Sequence, residues 1–160
     1  MKLSNNFSLY DLTRSQVAMR RNLTEQFTPP EPIVDNLRRL CELILEPLWL
    51  KFPNNLVITS GYRCARLNKI VGGSPNSTHT KGLAVDIDTK GILKNLGVAY
   101  YIFNNIPFQK LILEGSALQP QWLHVEIPQL NNNFERLIFW AEFGHRTRYH
   151  NLKPSEIWSQ

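Results

Sequence analysis

From Glu31 the apolar residues Ile33, Val34, Leu37, Leu40, Ile44 and Leu48 recur at steps of three and four. That spacing puts them on one face and predicts an amphipathic helix running to about Leu50. Pro32 suits its first turn, whereas Pro47 lies inside the pattern and predicts a kink or an end there. Upstream, Phe7, Leu9, Leu12 and Val17 stand among polar neighbours and predict an N-terminal arm, residues 1–30, with one or two short helical turns. The arm ends at Thr28-Pro29-Pro30, which breaks any helix. Downstream, the short β-branched run Leu56 to Thr59 predicts a buried strand, Cys64 to Val71 a helix, and Gly72 to Ser77 a loop. Leu83 to Ile87, Lys110 to Glu114 and Trp122 to Ile127 read as strands, and Ile92 to Phe103 as a helix. Residues 136 to 143 read as strand or helix, which periodicity does not separate. The mixture of a long helix, short strands and helical connections predicts an α+β fold.

With 160 residues, 42% of them hydrophobic, the chain is long enough to bury a core and short for two, so one domain over 1–160 is expected. Lysine and arginine outnumber acids 18 to 13, giving +5 and a pI near 9.4, which favours an anionic partner such as a cell wall. The basic residues are scattered and no aromatic stripe alternates with them, so nucleic acid is not expected as a partner. Cys41 and Cys64 are the two cysteines, too few for a disulfide framework or a four-thiolate zinc site, and read as buried thiols. Met1 to Leu12 lacks a long apolar run, so neither a signal peptide nor a membrane span is expected. A protein acting outside the cytoplasm would then stay in the host cytoplasm until something else released it.

The segment Ser77-Thr78-His79-Thr80-Lys81-Gly82-Leu83-Ala84-Val85-Asp86 carries the most chemistry: a histidine leaves a loop, and seven residues later a carboxylate sits within an apolar strand. Burying an unpaired carboxylate is costly, so Asp86 demands a cation, a donor network or a metal. A second histidine, His124, stands in a strand whose alternation puts Leu123, Val125 and Ile127 on one face and Trp122, His124 and Glu126 on the other. Two imidazoles and one carboxylate are the three ligands a catalytic zinc uses while keeping a fourth position for water. Spacing alone leaves this undecided against core or surface histidines, because no short metal motif such as H-E-x-x-H is present. Asp88 points the same way as Asp86 along its strand, and His145 and His150 lie in a tail that reads as solvated surface.

Three blocks change the picture: Ser60-Gly61-Tyr62-Arg63 with Leu67-Asn68 after it, the Ser77 to Asp86 block of form S-x-H-x-x-G-x-A-x-D, and Trp122-Leu123-His124. They resemble the zinc D-Ala-D-Ala carboxypeptidase family, which includes vancomycin-resistance dipeptidases and phage endolysin L-Ala-D-Glu endopeptidases. Phe7 to Ser15, Ile44 to Leu48 and Gln109 to Glu114 resemble its phage-associated branch. The resemblance implies a hedgehog/D-Ala-D-Ala peptidase-like α+β fold, a small, mostly antiparallel sheet with helices on one side, a site on the other face and the arm wrapped around it, and one zinc ion held by His79, Asp86 and His124. It implies that Arg63 steadies the oxyanion and substrate, and that Ser77 orients the site loop or binds substrate. Gly82 and Ala84 would let backbone pass near the metal, or simply pack. Tyr62, Trp122 and Trp140 are candidates to line a substrate cleft, or belong to the core. One departure stands out: many members carry an acid three residues before the last histidine as general base, and here Gln121 occupies that place and cannot take a proton. Glu114, which the phage-associated branch shares, is the expected base. Glu126 is the second candidate, or a partner that orients His124. The expected activity is zinc-dependent hydrolysis of peptide bonds in peptidoglycan stems by a monomer, as in a phage lysin released through a holin. The alternatives are an inactive, zinc-stabilised wall-binding module and a phage structural module.

Overall fold

A computed structural model describes residues 1–90, 92–116, 119–129, 135–142, 147–153 and 155. Phe143, His145 and Arg146 lie outside the described residues.

The arm forms because two serines cap two short helices. Ser8 caps α1 (Leu9–Thr13) in a reciprocal box with Asp11, and Ser15 caps α2 (Gln16–Arg20) by accepting from Ala18 N. A 3₁₀ turn, Thr24–Gln26, follows. The long helical segment comprises α3 (Glu31–Leu40), a π-helical turn (Cys41–Leu45) and α4 (Glu46–Lys51). Pro47 was expected to kink or end it, yet the helix continues. In the wider turn Glu46 N donates to Cys41 O, five residues back, immediately before the residue that has no N–H to give. Val34, Leu37, Leu40, Ile44 and Leu48 line its buried face as their spacing predicts.

The sheet has six strands in the order β1-β2-β4-β3-β5-β6: β1 Val57–Ser60, β2 Ala84–Asp88, β3 Lys110–Ser116, β4 Gln119–Glu126, β5 Leu137–Glu142 and β6 Arg148–Asn151. All neighbours are antiparallel except β3 and β5. The segment that periodicity does not settle is therefore a strand over Leu137–Glu142, with Ile138, Trp140 and Ala141 buried and Leu137 and Phe139 half-buried. β6 is exposed throughout and carries no apolar alternation, which is why its sequence gave no strand signal. Between β1 and β2 run α5 (Ala65–Ile70) and a 3₁₀ turn, Thr78–Lys81, and α6 (Ile92–Asn105) packs across β4 and β3.

Val85, Ile87, Leu111, Leu113, Leu123 and Val125 point to one face of the sheet and join the helices in a continuous core. Asp86, Ile112, Glu114 and His124 alternate with them and point to the other. The arm is bound to the first strand: Tyr62 N donates to Leu12 O at 2.7 Å and the Arg14 guanidinium to Ile58 O at 2.9 Å. Gly61 permits that approach, since a Cβ there would lie 2.4 Å from Leu12 O.

Candidate metal centre

Asp86 and His124 are directly opposite in the antiparallel β2/β4 pair, so their side chains share the site face. The Thr78–Lys81 turn brings His79 in from above. Asp86 Oδ1 lies 2.8 Å from His124 Nδ1 and 3.1 Å from His79 Nε2, and the two nitrogens are 3.2 Å apart.

The remaining ring nitrogens have fixed partners. Gly61 O, 2.7 Å from His79 Nδ1, can only accept, so that nitrogen carries the hydrogen and Nε2 offers its lone pair to the cluster. His124 Nε2 donates to Glu126 Oε1 at 3.0 Å, and Lys110 Nζ donates to the same oxygen at 3.0 Å. Burial pushes the His79 imidazole below its ordinary range. Burial opposes charge on His124 too, but hydrogen bonds to Asp86 and Glu126 outweigh it and raise its pKa to about 9. Burial would raise Glu126, but hydrogen bonding to His124 and then Lys110 brings it down to about 2. Asp86 is likewise held below the usual carboxylate range by the imidazoles against the effect of burial. Without a metal, the cluster stabilises a positive charge on His124 between two carboxylates.

This cluster floors a cavity of about 890 Å³ that Arg63, Ser77, Glu114, Gln121 and Trp122 also line. Arg63 stands with Nη2 3.9 Å from Asp86 Oδ2, and its buried Nε has no hydrogen-bond partner among the described residues. Burial, followed by the negative charge of Asp86, raises the Glu114 carboxyl above its ordinary value, while the Trp122 side chain hydrogen-bonds to it. Tyr62 does not reach the cavity. Its side chain is buried in the core, because Leu12 and Gln26 hold the backbone on either side of it. Gly82 also packs away from the cluster: its φ of +67° requires glycine, and a Cβ would meet Ile33 of α3.

Residues 5–126 match the peptidase M15 family. The chain belongs to that family. Comparison with curated proteins gives no match. Peptidase M15 enzymes are zinc-dependent, and His79, Asp86 and His124 form a group able to hold a metal among the described residues. The donors fit zinc. Bonds of about 2.1 Å in a tetrahedron separate ligand atoms by about 3.4 Å, a few tenths of an ångström more than the spacings here. Each imidazole also has the outer hydrogen-bond acceptor that zinc-binding histidines ordinarily use, a backbone carbonyl for His79 and a carboxylate for His124.

Three supporting residues of this peptidase M15 fold escaped the sequence reading. Gln26, fully buried, accepts from Cys64 N at 2.8 Å and donates to Thr13 O and Tyr62 O at 2.8 and 2.7 Å, bracketing Arg63. Asn95 donates to Pro120 O and Gln121 O and accepts from Thr89 N, tying the start of β4 to the end of β2. Lys110 neutralises Glu126 across the β3/β4 pair. Each partnership spans distant segments, so no local motif signals it.

Proposed function

We propose that this chain is a zinc metallopeptidase that hydrolyses a peptide bond in bacterial peptidoglycan stems, with one ion held by His79, Asp86 and His124. When bound, zinc supplies Lewis acidity that polarises a carbonyl and acidifies water. The observation that carries the reading is the opening of this cluster into one cavity with Glu114 and Arg63.

Glu114 takes a proton from the attacking water and passes it to the leaving amine. Its raised pKa suits both halves of that transfer, since a base and acid works best with a pKa near the working pH. Glu126 suits the role poorly: it is engaged by His124 and Lys110, and its depressed pKa makes it a weak base. Its part is to fix the ring of His124. Gln121 lines the cavity and can bind substrate, but it has no proton-accepting carboxylate. Arg63, whose Nε has no partner among the described residues and whose fork lies beside Asp86, donates to the oxygen on which negative charge develops. Ser77 and Trp122 border the substrate. The net charge of +5 favours adsorption to an anionic wall, as a phage lysin requires.

Digestion of purified peptidoglycan by zinc-loaded protein, with mass spectrometry of the released stems, tests the reading. Wild type is expected to create one new pair of termini, at D-Ala-D-Ala or L-Ala-D-Glu. His124→Ala should abolish cutting, and Glu114→Gln should lower the rate by about 10² to 10⁴ while zinc is retained. A Glu114→Gln enzyme of full rate would eliminate Glu114 as the base. Zinc binding and wall binding without turnover by wild type would leave a binding module instead.

A further inference from the structure

Phe139 and Tyr149 lie beyond the residues matched to the family, yet both line the cavity that holds the metal cluster. Strand register explains how. In one row across the sheet, Asp86 faces His124, His124 faces Ile112, and Ile112 faces Phe139. In the next, Trp122 faces Glu114, Glu114 faces Ala141, and Ala141 faces Tyr149. Residues paired across a sheet project to the same face, so both rows carry the site face outward from the cluster onto β5 and β6.

Adjacent strands are about 4.8 Å apart, which sets Phe139 about 10 Å from the line of His124, and Tyr149 about 10 Å from that of Glu114. Ala141 stands between Glu114 and Tyr149 and is itself fully buried, so it adds no surface to the cavity. Ile112, Phe139 and the ring of Tyr149, which line the cavity, form an apolar strip running away from the charged cluster, and Tyr149 is largely exposed. Lys110 at its border is neutralised by Glu126. The cavity volume of about 890 Å³ is near the upper end of the roughly 300 to 1,000 Å³ usual for ligand pockets, more than a dipeptide fills.

We infer that Ile112, Phe139 and Tyr149 form a subsite for the part of an extended peptide remote from the scissile bond. This chain therefore selects a stem peptide over a free dipeptide. The inference rests on the peptidase reading for the position of the scissile bond at the cluster. Methyl-bearing alanine units suit the strip, since it offers aromatic and aliphatic surface and no unpaired charge. Its contribution is to binding: Tyr149 is near enough to Glu114 to feel its charge, but the ring, not the hydroxyl, supplies the contact.

The test is calorimetric titration of zinc-loaded Glu114→Gln protein with two probes, D-Ala-D-Ala and the pentapeptide L-Ala-γ-D-Glu-L-Lys-D-Ala-D-Ala. The same titrations are made after adding Tyr149→Ala or Phe139→Ala. The pentapeptide is expected to bind at least about tenfold tighter than the dipeptide, and each added substitution to weaken it about five- to tenfold, a typical worth for an aromatic contact. Dipeptide affinity should not move, and Tyr149→Phe should bind as the parent does, because the ring makes the contact. Equal affinity for the two probes, or pentapeptide affinity unchanged by Tyr149→Ala, overturns the subsite. Tyr149 is exposed, so that variant remains decisive if Phe139→Ala fails to fold. Hydrolysis of the pentapeptide by wild type is followed in parallel. Selective binding without any cleavage would sink the peptidase reading and leave the subsite standing.

Discussion

Arg63 owes its place to neighbours rather than to its own contacts. Gln26 grips Tyr62 O on one side of it and Cys64 N on the other, while Arg63 N donates to His79 O. Gln26→Ala strands three buried backbone groups and is expected to cost on the order of 2 to 4 kcal/mol, read from urea denaturation. It should also lower kcat/KM of the folded enzyme by loosening Arg63. A double-mutant cycle separates that effect from simple instability: in an Arg63→Ala background, the loss of kcat/KM on removing Gln26 should largely disappear. An equal loss in both backgrounds would make Gln26 a purely structural residue.

Between elements, the contact that matters most for the site is the arm against the end of β1. Gly61 stands at that junction with two duties: its missing Cβ admits Leu12 O, and its own carbonyl receives the His79 Nδ1 hydrogen. Gly61→Ala forces a separation of backbone from backbone, with an expected destabilisation of about 1 to 3 kcal/mol by thermal melting. Because the same shift drags the carbonyl away from His79, zinc affinity should fall about 10- to 100-fold in a competition titration with a chelator. A variant that melts early but binds zinc as wild type does would show that the carbonyl does not orient the histidine. The helical segment solves a different problem. Its π turn places the widened backbone just ahead of Pro47, so the buried face from Val34 to Leu48 continues unbroken.

For the whole molecule, the cluster makes stability and metal binding depend on pH in opposite ways. His124 has a folded pKa of about 9 against an ordinary 6.5, so in metal-free protein its contribution is complete below pH 6.5 and is lost as pH rises toward 9. Glu126 runs the other way: from an ordinary 4.5 it falls to about 2, so its contribution is complete above pH 4.5 and fades as pH drops toward 2. The metal-free protein is therefore expected to gain most from these groups between about pH 4.5 and 6.5, measurable as a maximum in melting temperature. Zinc, by contrast, takes the lone pair that the proton on His124 Nδ1 occupies. Near neutral pH its uptake should release about one proton, and its affinity should rise about tenfold per pH unit toward pH 9. Calorimetry in buffers of different ionisation enthalpy measures that proton directly. No release would mean that His124 is neutral in the metal-free protein.

Local pattern alone determined the amphipathic run after Glu31, the strands around Asp86 and His124, and the face on which each of those side chains stands, because helix and strand periods are properties of a few neighbouring residues. The block from Ser77 to Asp86, with Trp122-Leu123-His124, likewise carries the resemblance that makes His79, Asp86 and His124 candidate ligands. Register was beyond it. That Asp86 pairs with His124, that Glu126 turns to His124 while Glu114 stays free of it, and that Tyr62 faces the core follow from which strands and loops meet. Sequence separation sets no such distance: His79 and His124 are brought together across 45 residues by β2, β4 and one turn. β6 shows the limit most sharply. Its exposed residues carry no hydrophobic signal, and only backbone pairing with β5 makes them a strand and sets Tyr149 beside the site.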